Sequence, residues 1–226
     1  MGLLDQVFST VSNTVSQAAG AMAAGLNSAW MSEQHITIGE PAPESVEALR
    51  AAVDVQDPRS VAAYWVYCNL VLTADYNIGI DMLKYLFADL EPFGRGFTEG
   101  GNTGRAGFDS FFKDRLKDDD YRWLPRAYFE GSYAANGFHP SRPFTVNLHY
   151  NPTNTDAINQ QSLQQLGRLN IVYWVKSNAA GNQVNITLSR FDGSNRWYVT
   201  SGASYGGIFY DQRAGLTAEA KAKLYT

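Results

Sequence analysis

The chain has 226 residues, 18 basic and 22 acidic side chains, a net charge of −4 and a pI near 5.3. A dedicated nucleic-acid-binding protein usually carries a basic surplus, so this balance argues against nucleic acid as a partner. The hydrophobic share of 45% is ordinary for a globular protein and is enough for a substantial core.

The single cysteine, Cys68, excludes an internal disulfide. It lies in the apolar run 61–72, where a thiol usually serves as a small buried hydrophobic residue. This usage fits a reducing compartment, and we expect a cytoplasmic protein. The chain lacks a run of about 18 apolar residues, so no transmembrane span is predicted. The first basic residue is Arg50, which argues against a standard secretory signal.

Residues 1–30 predict a separate amphipathic helix. Its apolar residues recur at spacings of three and four and form one stripe close to a coiled-coil seam. A helix of this kind is marginal alone and needs something to cover its stripe. Its own domain, another copy, another protein or a membrane surface would serve. Anionic membrane is the least favoured, because no Lys or Arg lines the polar face. We take association with a protein partner or a second copy as the hypothesis, with contacts through Leu4, Phe8, Val11, Val15, Met22 and Leu26.

Residues 31–56 are typical of an exposed linker, with two prolines and several carboxylates. A short helix over 44–52 fits within it. The compact domain is expected over 57–213, where Asp57 can cap a helix and Pro58 suits its first turn. The run 61–72 is apolar nearly all round, which predicts a central buried helix.

A second helix is predicted over 77–87 and a third over 108–116. Between them, six glycines within residues 94–107 predict a mobile loop. The spacing of these glycines matches neither the dinucleotide-binding fingerprint nor a P-loop, so phosphate binding is not indicated. Residues 118–120 are consecutive aspartates, which favours a solvated turn over a metal site.

Residues 121–143 are rich in aromatics and prolines and predict an ordered connection. Two-residue alternation of apolar and polar side chains then predicts strands near 144–150, 168–175 and 184–189. A turn over 192–195 leads into a returning strand over 196–200, and 204–210 is a candidate edge strand. Residues 214–226 are expected to form a loose terminal helix.

The expected fold class is therefore α+β. A helical N-terminal half packs on one face of an antiparallel sheet of four or five strands, and the N-terminal amphipathic helix is separate from it.

Two sequence strings carry a family resemblance. The first is Leu-Pro-Arg-Ala-Tyr-Phe-Glu-Gly over 124–131, and the second is Pro-Ser-Arg-Pro-Phe-Thr-Val over 140–146. With the helical pattern before them and the strands after them, the chain resembles an uncharacterised bacterial domain-of-unknown-function family over about 58–213. The resemblance supports one coherent α+β domain and implies no catalytic residue.

The polar face of the predicted sheet is the candidate binding site. Its side chains are mostly uncharged, and aromatic residues lie among them, whereas a purely solvated face usually carries more Lys and Glu. Such a surface suits a hydroxyl-rich ligand or a protein partner. The alternative is a face that is simply solvated or covered by another layer of the same chain. The candidate binding residues are Trp174, Tyr198, Asn147, His149, Asn185 and Thr187.

The leading functional hypothesis is a non-catalytic interaction or accessory module. The alternative is an enzyme of unknown class, such as a hydrolase, with a pocket under the glycine-rich loop 94–107. His35, His139 and His149 are the only histidines, and their spacing indicates no metal site. No cofactor is indicated. A deep pocket holding His139 or His149 beside a carboxylate would favour the enzyme, and a flat aromatic surface would favour the module.

Overall fold

The computed structural model describes residues 32–90, 97–100, 108–118, 121–150, 167–179, 183–200, 208 and 218–224. The chain divides into two units, Met1–Ser32 and Glu33–Thr226, and the described residues fall almost entirely in the second. The predicted helix over 1–30 and the candidate strand over 204–210, Ile208 excepted, lie outside the described residues.

The described part of the second unit is an α+β structure. Its helices are α1 (Val46–Ala52), α2 (Pro58–Ala74), α3 (Tyr76–Leu86), α4 (Phe108–Arg115) and α5 (Ala218–Lys223). Its strands are β1 (Ser32–Thr37), β2 (Ala88–Leu90), β3 (Phe97–Glu99), β4 (Thr145–Tyr150), β5 (Arg168–Lys176), β6 (Gln183–Phe191) and β7 (Tyr198–Val199). Five strands form one sheet in the order β1-β4-β5-β6-β7, and β2 pairs with β3. The predicted fold class is confirmed.

Helix α2 is the centre of the core. Asp57 caps it by accepting a hydrogen bond from the Arg59 amide, and Pro58 occupies its first turn, as the sequence predicts. Tyr64, Trp65 and Leu72 are at most 4% exposed, which confirms that this helix is buried. Cys68 is fully buried in the same helix, and burial raises the pKa of its thiol well above the ordinary value.

The sheet shows the two-residue periodicity that the sequence predicts. Buried residues alternate with partly exposed ones along β4, β5 and β6. The buried set packs against α2 in one core cluster. The same alternation leaves the opposite face of the sheet to polar side chains.

Residues 31–56 do not form the expected linker. They contribute β1, at the edge of the sheet beside β4, and α1, which Ser45 caps. Ile38 and Leu49 are fully buried in the core. Pro41 and the carboxylates of this segment are exposed, whereas Pro43 is buried, and the fifth strand of the sheet comes from here.

Two further expectations differ from the structure over the residues that it describes. The glycine-rich segment 94–107 contains β3, which pairs in register with β2, and the Gly100 amide donates to the Phe87 carbonyl at 2.9 Å. Residues 97–100 are therefore held by backbone hydrogen bonds, and the rest of the predicted loop, 94–96 and 101–107, lies outside the described residues. The C-terminal helix is not loose either, because Leu224 is buried in a small cluster with Trp123, Leu124, Ala127 and Phe138.

Candidate functional site

Three predicted site residues form a row across the polar face of the sheet. His149 on β4 lies directly opposite Trp174 on β5, and Trp174 lies directly opposite Asn185 on β6. Directly opposed residues project from the same face, and neighbouring strands are about 4.8 Å apart. The row therefore places an imidazole, an indole and an amide within roughly 10 Å. All three residues are partly exposed.

Two more predicted site residues lie on the same face beside this row. Thr187 is two residues after Asn185 on β6, and it pairs with Val172 on β5. Asn147 is two residues before His149 on β4, and its side-chain amide donates to the Glu33 carboxylate. Five of the six predicted residues thus form one continuous polar surface with Trp174 near its middle.

The sixth residue, Tyr198, is on β7 at the edge of the sheet, where this face is buried. It pairs with Ser189, and the two are 5% and 0% exposed. The Ser189 hydroxyl donates to Asn170 Oδ1 at 2.6 Å and is 2.8 Å from the Thr200 hydroxyl. The Arg196 guanidinium stacks over the Tyr198 ring at 4.9 Å. Tyr198 is therefore a packing residue here, and the accessible surface is the row around Trp174.

Strand β1 brings two ionisable side chains that the sequence analysis missed. Glu33 Oε1 lies 3.9 Å from His149 Nε2, and His35 Nδ1 is hydrogen-bonded to the Glu130 carboxylate. The available signal was the alternation of Gln34, Ile36 and Ile38 with Glu33, His35 and Thr37. It is short, and the prolines that follow it favoured a linker.

The two histidines near this surface are shifted in opposite directions. Burial lowers the pKa of His149 below its ordinary value, and this outweighs the opposing effect of Glu33. Lys176 and His35 lower the pKa of His149 further. The hydrogen bond that His35 donates to the Glu130 carboxylate raises the pKa of His35. At neutral pH, the His149 imidazole is therefore mostly uncharged.

We expect a pH titration followed by NMR to separate these histidines. The His149 resonances should titrate below about 6.5 and those of His35 above it. The stabilising contribution of His149 is complete above pH 6.5 and is lost as pH falls through its lowered pKa. That of His35 is present below pH 6.5 and is lost as pH rises through its raised pKa.

His149→Gln and His35→Gln serve as the matched pair for this titration. His149→Gln should make the protein lose less stability as the pH falls, and His35→Gln should make it lose more. A His149 pKa above 6.5 would contradict the role assigned to burial.

The ionisable groups near this surface form no close catalytic or metal-binding cluster among the described residues. The 3.9 Å separation of His149 Nε2 and Glu33 Oε1 is an ion-pair distance and is longer than a hydrogen bond. Within the described ranges, no three His, Cys, Asp or Glu side chains gather closely enough to hold a metal ion. His139 is exposed in the connection before β4, away from this row.

A family model described as a domain of unknown function, DUF6935, matches residues 41–214. No curated protein and no solved structure matches the chain. The match includes α1 to α4, strands β2 to β7 and both sequence strings that carry the resemblance, and it begins after β1. Since it covers more than half of the chain, the protein belongs to the DUF6935 domain family.

Proposed function

We propose that this protein is a non-catalytic binding module. It takes a hydroxyl-rich ligand or a protein partner on the sheet surface around Trp174, and it associates through residues 1–30. The observation that carries the proposal is the row His149–Trp174–Asn185. The flat Trp174 indole can stack on an apolar patch of a ligand. The neutral side chains on either side of it can form hydrogen bonds with the hydroxyl groups of that ligand.

The cellular setting is part of the same proposal. The only cysteine is a fully buried free thiol, which fits a bacterial cytoplasm. Among the described residues, no helix is both long and apolar enough to cross a membrane.

One observation favours the alternative, an enzyme. Glu33 places a carboxylate beside His149, the pairing that would indicate acid–base chemistry. His149 is only 17% exposed in its side chain, so it is partly shielded from water. The pocket expected under segment 94–107 falls largely outside the described residues. The Glu33–His149 pair is therefore the one observation that supports an enzyme.

Trp174→Ala tests the binding surface. Purified protein labelled with ¹⁵N is titrated with a panel of soluble oligosaccharides, and shifts are followed at Asn147, Trp174 and Asn185. Loss of the indole should weaken any ligand bound there by roughly tenfold or more, because aromatic anchors dominate such surfaces. Tyr133→Ala is the matched control, since Tyr133 is 60% exposed and lies outside the sheet.

A photo-crosslinking amino acid at position 174, compared with one at 133, tests for a protein partner. A partner that crosslinks only from 174, and whose purified form loses affinity for Trp174→Ala, supports the module. Turnover of a bound sugar that Glu33→Gln abolishes would support the enzyme instead. Sugar binding or crosslinking that Trp174→Ala leaves unchanged would contradict the proposed surface.

A further inference from the structure

A cavity of about 490 Å³ opens on a different part of the domain. It lies where the end of α2 and the start of α3 meet the segment that leads into β4. Its apolar and aromatic lining comes from Tyr67, Leu70, Val71, Ile78 and Phe144. The volume is within the range of small-molecule sites, which are mostly apolar with a few polar groups. None of its lining residues belongs to the row around Trp174.

Three arginines line this cavity, and two of them are already engaged. Arg122 donates to the carbonyls of Thr73 and Leu116, at 3.3 and 3.1 Å. Arg142 stacks over the Phe144 ring at 5.1 Å and lies 3.8 Å from the Glu40 carboxylate. Both therefore support the walls.

Arg126 differs from the other two arginines. Its guanidinium is partly buried, and within the described part of the chain it has no hydrogen bond or ion pair. Burial lowers its pKa, which reflects the same desolvation. Taking a charge out of water without pairing it is unfavourable, so an anion bound here would relieve that cost. The guanidinium fork is suited to a planar carboxylate.

The charges around the cavity define the ligand further. Glu44 and Asp75 also line it, and Glu40 lies against Arg142, so three carboxylates stand beside the three arginines and the region carries no surplus positive charge. The Asp75 carboxylate is occupied as the cap of α3, where it accepts from the Ile78 amide at 3.1 Å. A monoanion pairs with Arg126, whereas the second charge of a phosphate dianion would meet no further unengaged arginine among the described lining residues.

The two sequence strings that carry the family resemblance meet at this cavity. Arg126 belongs to the string 124–131, and Arg142 and Phe144 belong to the string 140–146. Leu124 and Pro125 beside Arg126 are buried, and they hold the short 3₁₀ helix Leu124–Tyr128 that carries the guanidinium. Arg126 is therefore presented from a well-packed element.

We propose that this cavity binds a small monocarboxylate with an apolar body. The carboxylate pairs with Arg126, and the apolar body lies against Leu70, Val71, Ile78 and Phe144. The site is independent of the surface around Trp174, because the two share no residue.

Octanoate is the probe for this site, with octanol and octyl phosphate as its neutral and more highly charged counterparts. Binding to the full chain is measured by calorimetry, and the methyl resonances of Leu70, Val71 and Ile78 report its location. Octanoate should bind, octanol should bind at least tenfold more weakly, and octyl phosphate should not bind more tightly than octanoate. Failure of octanoate to bind at millimolar concentration would overturn the proposal, as would equal binding of octanol or tighter binding of octyl phosphate.

Arg126→Gln should reduce octanoate affinity at least tenfold, and Arg126→Lys should recover only part of it because the planar fork is lost. Arg50→Gln, which removes an exposed arginine outside the cavity, should leave affinity unchanged.

The melting temperature separates a loss of binding from a loss of folding. Because Arg126 lacks a partner among the described residues, Arg126→Gln should melt no earlier than the parent, and octanoate should raise the melting temperature of the parent only. Unchanged octanoate binding in Arg126→Gln would refute the assignment, and Trp174→Ala should retain it in full.

Discussion

Replacing Gly79 with alanine should strongly destabilise the domain, although the change adds only one methyl group. Gly79 is buried in the first turn of α3, and an added Cβ would lie 2.2 Å from Leu72 Cα and 2.4 Å from Leu72 N. These are backbone atoms of α2, so no side-chain rotation relieves the contact. Asp75 alone joins the two helices, as the residue that ends α2 and caps α3. The helices therefore cannot separate without disturbing both ends.

The expected loss for Gly79→Ala is about 3 kcal/mol or more, at the upper end of overpacking effects. It exceeds the gain of about 1 kcal/mol that alanine has over glycine in a helix interior. In a domain of this size, the melting temperature should fall by roughly 6–12 °C. Thermal and urea unfolding followed by circular dichroism measure both quantities.

Gly39→Ala is the matched control for this substitution. The nearest atom to its added Cβ is the Tyr64 hydroxyl oxygen at 3.8 Å, an ordinary contact distance. The stability of the Gly39→Ala protein should therefore change little. A Gly79→Ala protein as stable as Gly39→Ala would show that α2 and α3 are less closely packed than the structure places them.

Deleting residues 1–30 should leave the domain folded and change its assembly state. The stripe from Leu4 to Leu26 presents too much apolar surface to remain in water. At roughly 25 cal/mol per Å², burial of even half of its large side chains is worth several kcal/mol before entropy is subtracted. Among the described residues, the core cluster is built from Ile38 onward. We therefore expect the truncated chain to be monomeric and the full chain to be larger, as measured by analytical ultracentrifugation.

Phe8→Asp together with Val15→Asp in the full chain provides the control, because both charges fall on the stripe without shortening the chain. The double variant should behave as the truncated chain does. If the truncated chain unfolds, the stripe belongs to the domain core. If the full chain and the truncated chain have the same mass per particle and the same partners, association through residues 1–30 is refuted.

The two candidate sites lie on separate parts of the domain and can be tested independently. The surface around Trp174 lies on the polar face of the sheet, whereas Arg126 faces the cavity beside α2 and α3. Trp174→Ala and Arg126→Gln therefore act on different ligands. Either proposal can fail without the other.

Sequence patterns predict an element of the fold correctly where the whole pattern lies within that element. The Asp57–Pro58 pair and the apolar run after it predict α2 correctly, because a cap and a buried helix depend on neighbouring residues. The alternation in β4, β5 and β6 also predicts the core-facing side of the sheet, because the pleat has a period of two, although Ser189 on the polar side is buried as well. It thereby places Asn147, His149 and Trp174 on one face.

Other features depend on contacts between distant parts of the chain. The sequence by itself determined the α+β class, the central helix and the polarity of each sheet face, since these follow from periodicities within single segments. Only the tertiary structure decided that β1 joins the sheet beside β4, that His149, Trp174 and Asn185 are in one register, and that Arg126 and Arg142 line one cavity. Strand pairing and cavity walls form between residues tens of positions apart, where the spacing along the chain carries no information about distance in space.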